Sequence, residues 1–94
     1  MNKILLINRI NVKQFKVERK RIFFVIGNMD DPHVENQLID TLNDIGFLVK
    51  KDIVYKYNGV QLLMKEENIP KVNKILMNSG FDIYSIYELY DPME

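Results

Sequence analysis

The sequence predicts an α+β fold of the ferredoxin-like kind, a βαββαβ sandwich with two helices on one face of a four-stranded antiparallel sheet. Three observations predict it. The hydrophobic periods over residues 22–90 read strand, helix, strand, strand, helix, strand. An Asn-Gly pair joins the two middle strands. The chain also echoes itself at a spacing of 34 residues: "IGFLV" at 45–49 falls on "SGFDI" at 79–83, and the same shift lays Leu38 on Val72 and Leu42 on Leu76. Two such halves with right-handed connections close into this sandwich.

The first strand is "IFFVI" (22–26), a continuous apolar run of the kind buried on both faces. Asp30-Asp31-Pro32 reads as a helix start: a capping aspartate, proline at the first helical position, and negative charge where the helix dipole favours it. Val34, Leu38, Leu42 and Ile45 then recur at helical spacing, with Glu35, Gln37, Asp40 and Asn43 on the other side. Gly46 is expected to supply a left-handed terminus.

"FLVKKDIVYKY" (47–57) alternates from Asp52 onward, which predicts a strand with Ile53, Tyr55 and Tyr57 on one face. Asn58-Gly59 predicts a tight hairpin with both residues at positive φ, and "VQLLMK" (60–65) is the returning strand. Glu66, Glu67 and Asn68 lead to Pro70 and a helix carrying Val72, Ile75 and Leu76, closed by Gly80. The last strand runs from Phe81 to about Leu89. In this order the first and third strands are central, and the second and fourth are edges. Residues 1–21 are read as a basic leader or linker, with an extra strand as an alternative, and 22–94 as the domain.

Composition narrows the function classes. Ninety-four residues suit one domain with a single modest core. The chain is 47% hydrophobic and 28% charged, ordinary for a globular protein. The longest aliphatic run is Ile4–Ile7, far below the roughly 20 residues of a membrane helix, and Arg9 with no small-residue cleavage site argues against a signal peptide. Absence of cysteine excludes disulfide frameworks and thiolate catalysis and suits a cytoplasmic location. Net charge is zero but uneven. Residues 1–24 carry seven basic side chains against Glu18 alone, whereas residues 25–94 carry six lysines against twelve carboxylates. A basic arm of this kind meets nucleic acid, an acidic lipid surface, or else the chain's own acidic body or an acidic neighbour; the last reading is favoured because the arm lacks the Gly, Ser and paired aromatics of nucleic-acid arms.

No set of residues makes a recognisable catalytic centre. Absence of cysteine excludes a Cys/His arrangement, and no Ser/His/Asp set can be assembled around the single histidine from the sequence. His33 beside Asp30 and Asp31 is thin support for a metal, and those acids are better read as helix caps. Glu66-Glu67 is read as a solvated pair of charges at a helix start rather than a proton-transfer dyad. Gly27 to Asp30 has one glycine and no following lysine, unlike a phosphate loop. RNA recognition by an RRM-type sheet requires aromatics on both central strands, and "GVQLLMK" has none; Phe23 and Phe24 point to opposite faces. The expectation is a non-enzymatic domain with no cofactor and no metal. Tyr84, Tyr87 and Tyr90 on the last strand, together with the basic leader, are the hypothetical contact residues, because tyrosine joins an apolar body to a polar tip and an edge strand offers unpaired backbone.

"NKILMNSGFDIYSIYELYDPME" resembles the end of the C-terminal accessory domain of ATP-binding subunits of bacterial ABC transporters, of the bacteriocin and lantibiotic exporter type. Those domains run helix, Gly, a strand of the type x-I-Y-x-I, a polar stretch, then an acidic and aromatic tail. Ile83-Tyr84-Ser85-Ile86-Tyr87 and Met93-Glu94 occupy those places. The resemblance covers residues 60–94 and reaches the rest through topology alone. It implies an excised or truncated accessory domain that contacts the ATPase body or a partner subunit. The chain departs from the whole subunit by lacking the Gly-rich Lys-Ser/Thr phosphate loop, so ATP hydrolysis is not expected of it. The tail also stops where the family's segment would continue. The alternatives are an ACT-like sensing module, in which Gly27, Asn28, Asp30 and Asp31 would hold a small amine-bearing metabolite, and a freestanding module that dimerises through its edge strands.

Overall fold

The computed structural model describes residues 19–90. Four strands and two helices alternate along it: β1 (Arg19–Ile26), α1 (Pro32–Asn43), β2 (Ile53–Lys56), β3 (Gly59–Lys65), α2 (Ile69–Asn78) and β4 (Ile83–Leu89). The sheet order is β2-β3-β1-β4 with every neighbouring pair antiparallel. This is the ferredoxin-like βαββαβ arrangement, with β1 and β3 central and β2 and β4 at the edges, as the sequence predicts.

Alternation in the central strands sets the core. Ile22, Phe24 and Ile26 of β1 and Val60, Leu62 and Met64 of β3 share one cluster with Leu38 and Leu42 of α1 and Val72 and Leu76 of α2. Phe24, Leu38, Leu42, Leu62 and Leu76 are fully enclosed, and each contributes about 1.5–3 kcal/mol of burial. The 34-residue echo therefore has a packing meaning: both of its superposed pairs are core contacts from the two helices. No polar or charged residue is buried among the described residues. Phe23 is 5% exposed yet stands outside this cluster. It lies on the other face of the sheet, with its ring 5.6 Å from that of Tyr87.

Several local expectations are corrected. Among the described residues β1 already runs at Arg19, three residues before the apolar run, and this charged stretch is held at the sheet's end. Arg19 Nη1 lies 3.3 Å from Asp52, and Lys20 Nζ lies 3.4 Å from Glu66 and 3.8 Å from Glu88. The earlier leader, residues 1–18, lies outside the described residues. α1 starts as predicted, with Asp31 capping the His33 N–H at 2.9 Å. It ends at Asn43, and Gly46 is not left-handed. The Ile45 N–H bonds the Leu42 carbonyl and the Leu48 N–H bonds that of Ile45, so successive tight turns end the helix and carry Ile45 into the core. α2 does end as expected: Gly80 sits at φ 94°, and the Gly80 and Phe81 N–H groups bond the Met77 and Leu76 carbonyls.

The second strand is shorter than predicted. Residues 50–52 form a 3₁₀ turn, and only Ile53 and Tyr55 pack toward the core. Tyr57, expected beside them, falls in the hairpin turn and is 89% exposed. The turn is displaced by one residue. Lys56 pairs with Gly59, so Tyr57 and Asn58 are its central residues, and neither takes positive φ. Gly59 is already in β3, where a Cβ would collide with the Phe24 carbonyl oxygen. The glycine serves close strand approach rather than turn geometry.

Candidate interface along the last strand

β4 pairs with β1 through Phe23–Tyr87, Phe24–Ile86 and Val25–Ser85, and then through Ile26–Ile83. Two adjacent residues of β1 thus face two residues of β4 separated by one, which leaves Tyr84 as the extra residue of a β-bulge. A bulge re-aims the side chain it carries and increases local twist. Here it turns Tyr84 against Gly27: a Cβ built on that glycine would meet Tyr84 Cε2 at 3.0 Å and Oη at 3.1 Å. The Gly27 N–H bonds the Asp82 carbonyl at 2.9 Å and ties the start of β4 to the same place.

The three tyrosines named from sequence are exposed, at 72% for Tyr84, 46% for Tyr87 and 80% for Tyr90. They do not form one patch. Tyr84 lies at the bulge, Tyr87 packs on Phe23, and Tyr90 follows the end of β4. What unites them is the strand edge, which has no neighbour on its far side among the described residues. The two edges differ. β2 is four residues long and carries Lys56, whereas β4 is seven residues long and has no charge from Ile83 to Tyr87. Short strands and lysines blunt an edge, and a long uncharged strand leaves its backbone groups available.

Beside this edge, on the side of α2, lies an open groove of about 310 Å³ lined by Asn73, Met77, Ile83, Tyr84, Ser85 and Ile86. Met77 is exposed at its rim, and the buried Asn73 Oδ1 has no hydrogen-bond partner. Such an acceptor usually costs about 1–3 kcal/mol and is uncommon. Farther along β4, a second concavity of about 340 Å³ lies between Ile22, Ile69, Ile86 and the carboxylates Glu66 and Glu88. Asn73 and Met77 were missed in the sequence, where an asparagine within a helix gives no signal of what it faces. The only mark of the groove is the polar residue next to Val72.

The alternative ligand residues occupy the turn before α1. Asn28 takes φ 62°, Asp31 is engaged in capping, and Asp30 is exposed. Met29 between them is drawn into the core, so the turn serves as an anchored helix start. Gly27 belongs with Tyr84. His33 is exposed, and among the described residues no three of His, Cys, Asp and Glu converge on one point. Burial raises the Tyr55 hydroxyl above its ordinary value of 10.0. Among the described residues no helix is long and apolar enough to cross a membrane. Comparison with known protein families, with curated proteins and with solved structures finds no match to this chain.

Proposed function

We propose that this is a non-enzymatic accessory or regulatory domain that works by protein contact, with β4 as its docking edge. One observation carries the reading: of the two sheet edges, β4 is the long one, free of charge over Ile83–Tyr87 and flanked by exposed tyrosines, while β2 is short and carries a lysine. A partner strand laid along β4 would satisfy its outward backbone groups, and the tyrosines would add contact area with few rotamers to immobilise. The resemblance of residues 60–94 to the accessory domain of ABC transporter ATP-binding subunits names the partner to try first, the ATPase body of such a transporter. On that reading the domain modulates transport and performs no chemistry.

The test begins with the source DNA on both sides of this reading frame. A phosphate-loop ATPase encoded in frame or alongside would be purified and its binding to the domain measured. Tyr84→Ser/Tyr87→Ser/Tyr90→Ser should weaken that binding at least about tenfold while leaving the circular dichroism spectrum unchanged. Equal binding by the triple variant would overturn the assignment of the edge. Absence of any neighbouring ATPase would remove the transporter as partner.

A further inference from the structure

The sheet has a second face that the helices leave open. Both helices pack against the face that carries Phe24 and Leu62, so among the described residues no helix covers the other. The strand registers lay that other face out in rows. Val54, Gln61, Phe23 and Tyr87 form one row across all four strands, with Leu63, Arg21 and Leu89 on one side of it and Val25 and Ser85 on the other. None of these residues belongs to the core cluster. Val54 and Tyr87 are exposed, and Val25, Leu63 and Leu89 are partly so. Cations stand at both ends of the field: Lys56 beside the hairpin, and Arg21, Arg19 and Lys65 at the far end. The strand residues of this face include no carboxylate, and Asp52, just before β2, is bonded to Arg19 at 3.3 Å.

We propose that this open face docks an amphipathic helix of a partner protein, apolar along one stripe and acidic on both flanks of it. The surface lies beyond the β4 edge and does not depend on that edge's docking role. A contiguous apolar field rimmed by charge of one sign has the form of an interaction site rather than of scattered surface residues. Charge selects the occupant. A second copy laid face to face would set these cations against their equals. The preceding segment of the chain repeats their sign, with Lys3, Arg9, Lys13 and Lys16 against Glu18. A nucleic-acid strand would suit the cations but stacks its bases on ring faces. Here Phe23 is enclosed, Tyr87 is the one exposed ring among the described residues of this face, and the rest of the field is aliphatic. Aliphatic side chains on a sheet suit the apolar stripe of a helix, the way α1 and α2 cover the opposite face. The central row spans about 14 Å at the usual strand spacing, the length of about nine helical residues. Carboxylates on the two flanks would then reach Lys56 on one side and Arg21 and Lys65 on the other.

Fluorescence anisotropy with the full chain tests this on defined probes. The first is a helical peptide of about eighteen residues with a leucine stripe flanked by glutamates. A second keeps the stripe and carries lysines on its flanks, a third keeps the glutamates and has glutamine in place of leucine, and the fourth is a single-stranded oligothymidylate. The first should bind and saturate, and the other three should not. Arg21→Glu/Lys65→Glu should weaken the acidic peptide at least about tenfold and admit the lysine peptide. Lys56→Glu, at the opposite end, should weaken it about threefold. Arg21 and Lys56 are exposed and Lys65 partly so, and the variants should keep the wild-type circular dichroism spectrum. Tyr84→Ser should leave binding unchanged, since that residue stands at the β4 edge and outside these rows. Failure of the acidic striped peptide to bind overturns the inference. Equal binding of the glutamine peptide reduces the contact to charge alone and overturns the apolar dock. Tighter binding of the oligothymidylate assigns the face to nucleic acid and overturns the helix. Full affinity in both charge-reversed variants places the peptide elsewhere and overturns the assignment of the face.

Discussion

Tyr84 lies against Gly27, with its ring occupying the space that any side chain at residue 27 would claim. The contact joins the turn that leads into α1 to the edge strand that closes the sheet. It also unites two residues assigned by sequence to different candidate sites. The bulge on β4 is what makes it possible, since a regular strand would carry Tyr84 in register with β1.

Alanine at the two buried glycines should therefore give opposite results. Gly27 does not take positive φ, and its new methyl would press on the outer atoms of an exposed tyrosine that can move aside. Gly27→Ala should change stability by less than about 1 kcal/mol. Gly59→Ala would drive a methyl into the Phe24 carbonyl oxygen at the centre of the sheet, where the backbone cannot yield, and should cost at least about 3 kcal/mol. Urea unfolding of the two variants measures the contrast.

The adjacent phenylalanines of β1 should separate just as clearly. Phe24 is enclosed between sheet and helices, and Phe24→Ala should cost about 3–5 kcal/mol. Phe23 lies on the opposite face against Tyr87 at 5.6 Å. A double-mutant cycle on Phe23→Ala and Tyr87→Ala should give a coupling of about 0.5–1.5 kcal/mol. Coupling near zero would mean that the ring pair contributes nothing beyond buried area.

Asp31 donates no chemistry on this account and serves as a cap. Asp31→Ala should destabilise the domain by about 1 kcal/mol, because the His33 N–H loses its acceptor at 2.9 Å. His33→Ala keeps that backbone donor and should be nearly neutral. If addition of small amines or divalent cations raised the thermal midpoint of the wild type but not of Asp31→Ala, the turn would be a ligand site and the capping account incomplete.

Alkaline conditions should expose the position of Tyr55. Its hydroxyl is raised above 10.0 by burial, so the folded chain holds that proton more tightly than the unfolded chain does. Above pH 10 the unfolded state binds fewer protons, and stability must fall as pH climbs through the folded value, while below pH 10 this contribution is fully present. Tyr55→Phe should flatten that part of the profile in urea titrations above pH 10. An unchanged slope would assign the alkaline loss to other groups.

The order of elements was legible because each rests on short-range chemistry. Period-two and period-3.6 apolar spacing, the Asp31-Pro32 helix start and the Gly80 terminus depend on neighbours within a few residues, and all appear in the structure. Even the burial of Leu38, Leu42, Val72 and Leu76 was readable, since the repeat lays the two apolar faces on one sheet. Tertiary structure decided the rest, because it depends on which distant backbones come close. Gly59 moved out of the turn to let β1 approach, Tyr57 moved into it, and Gly46 lost its left-handed role to turns that bury Ile45. The tyrosines of β4 were visible as residues, whereas the bulge that sends Tyr84 to Gly27 and the groove that leaves Asn73 without a donor arise from packing between strands and helix far apart in the chain.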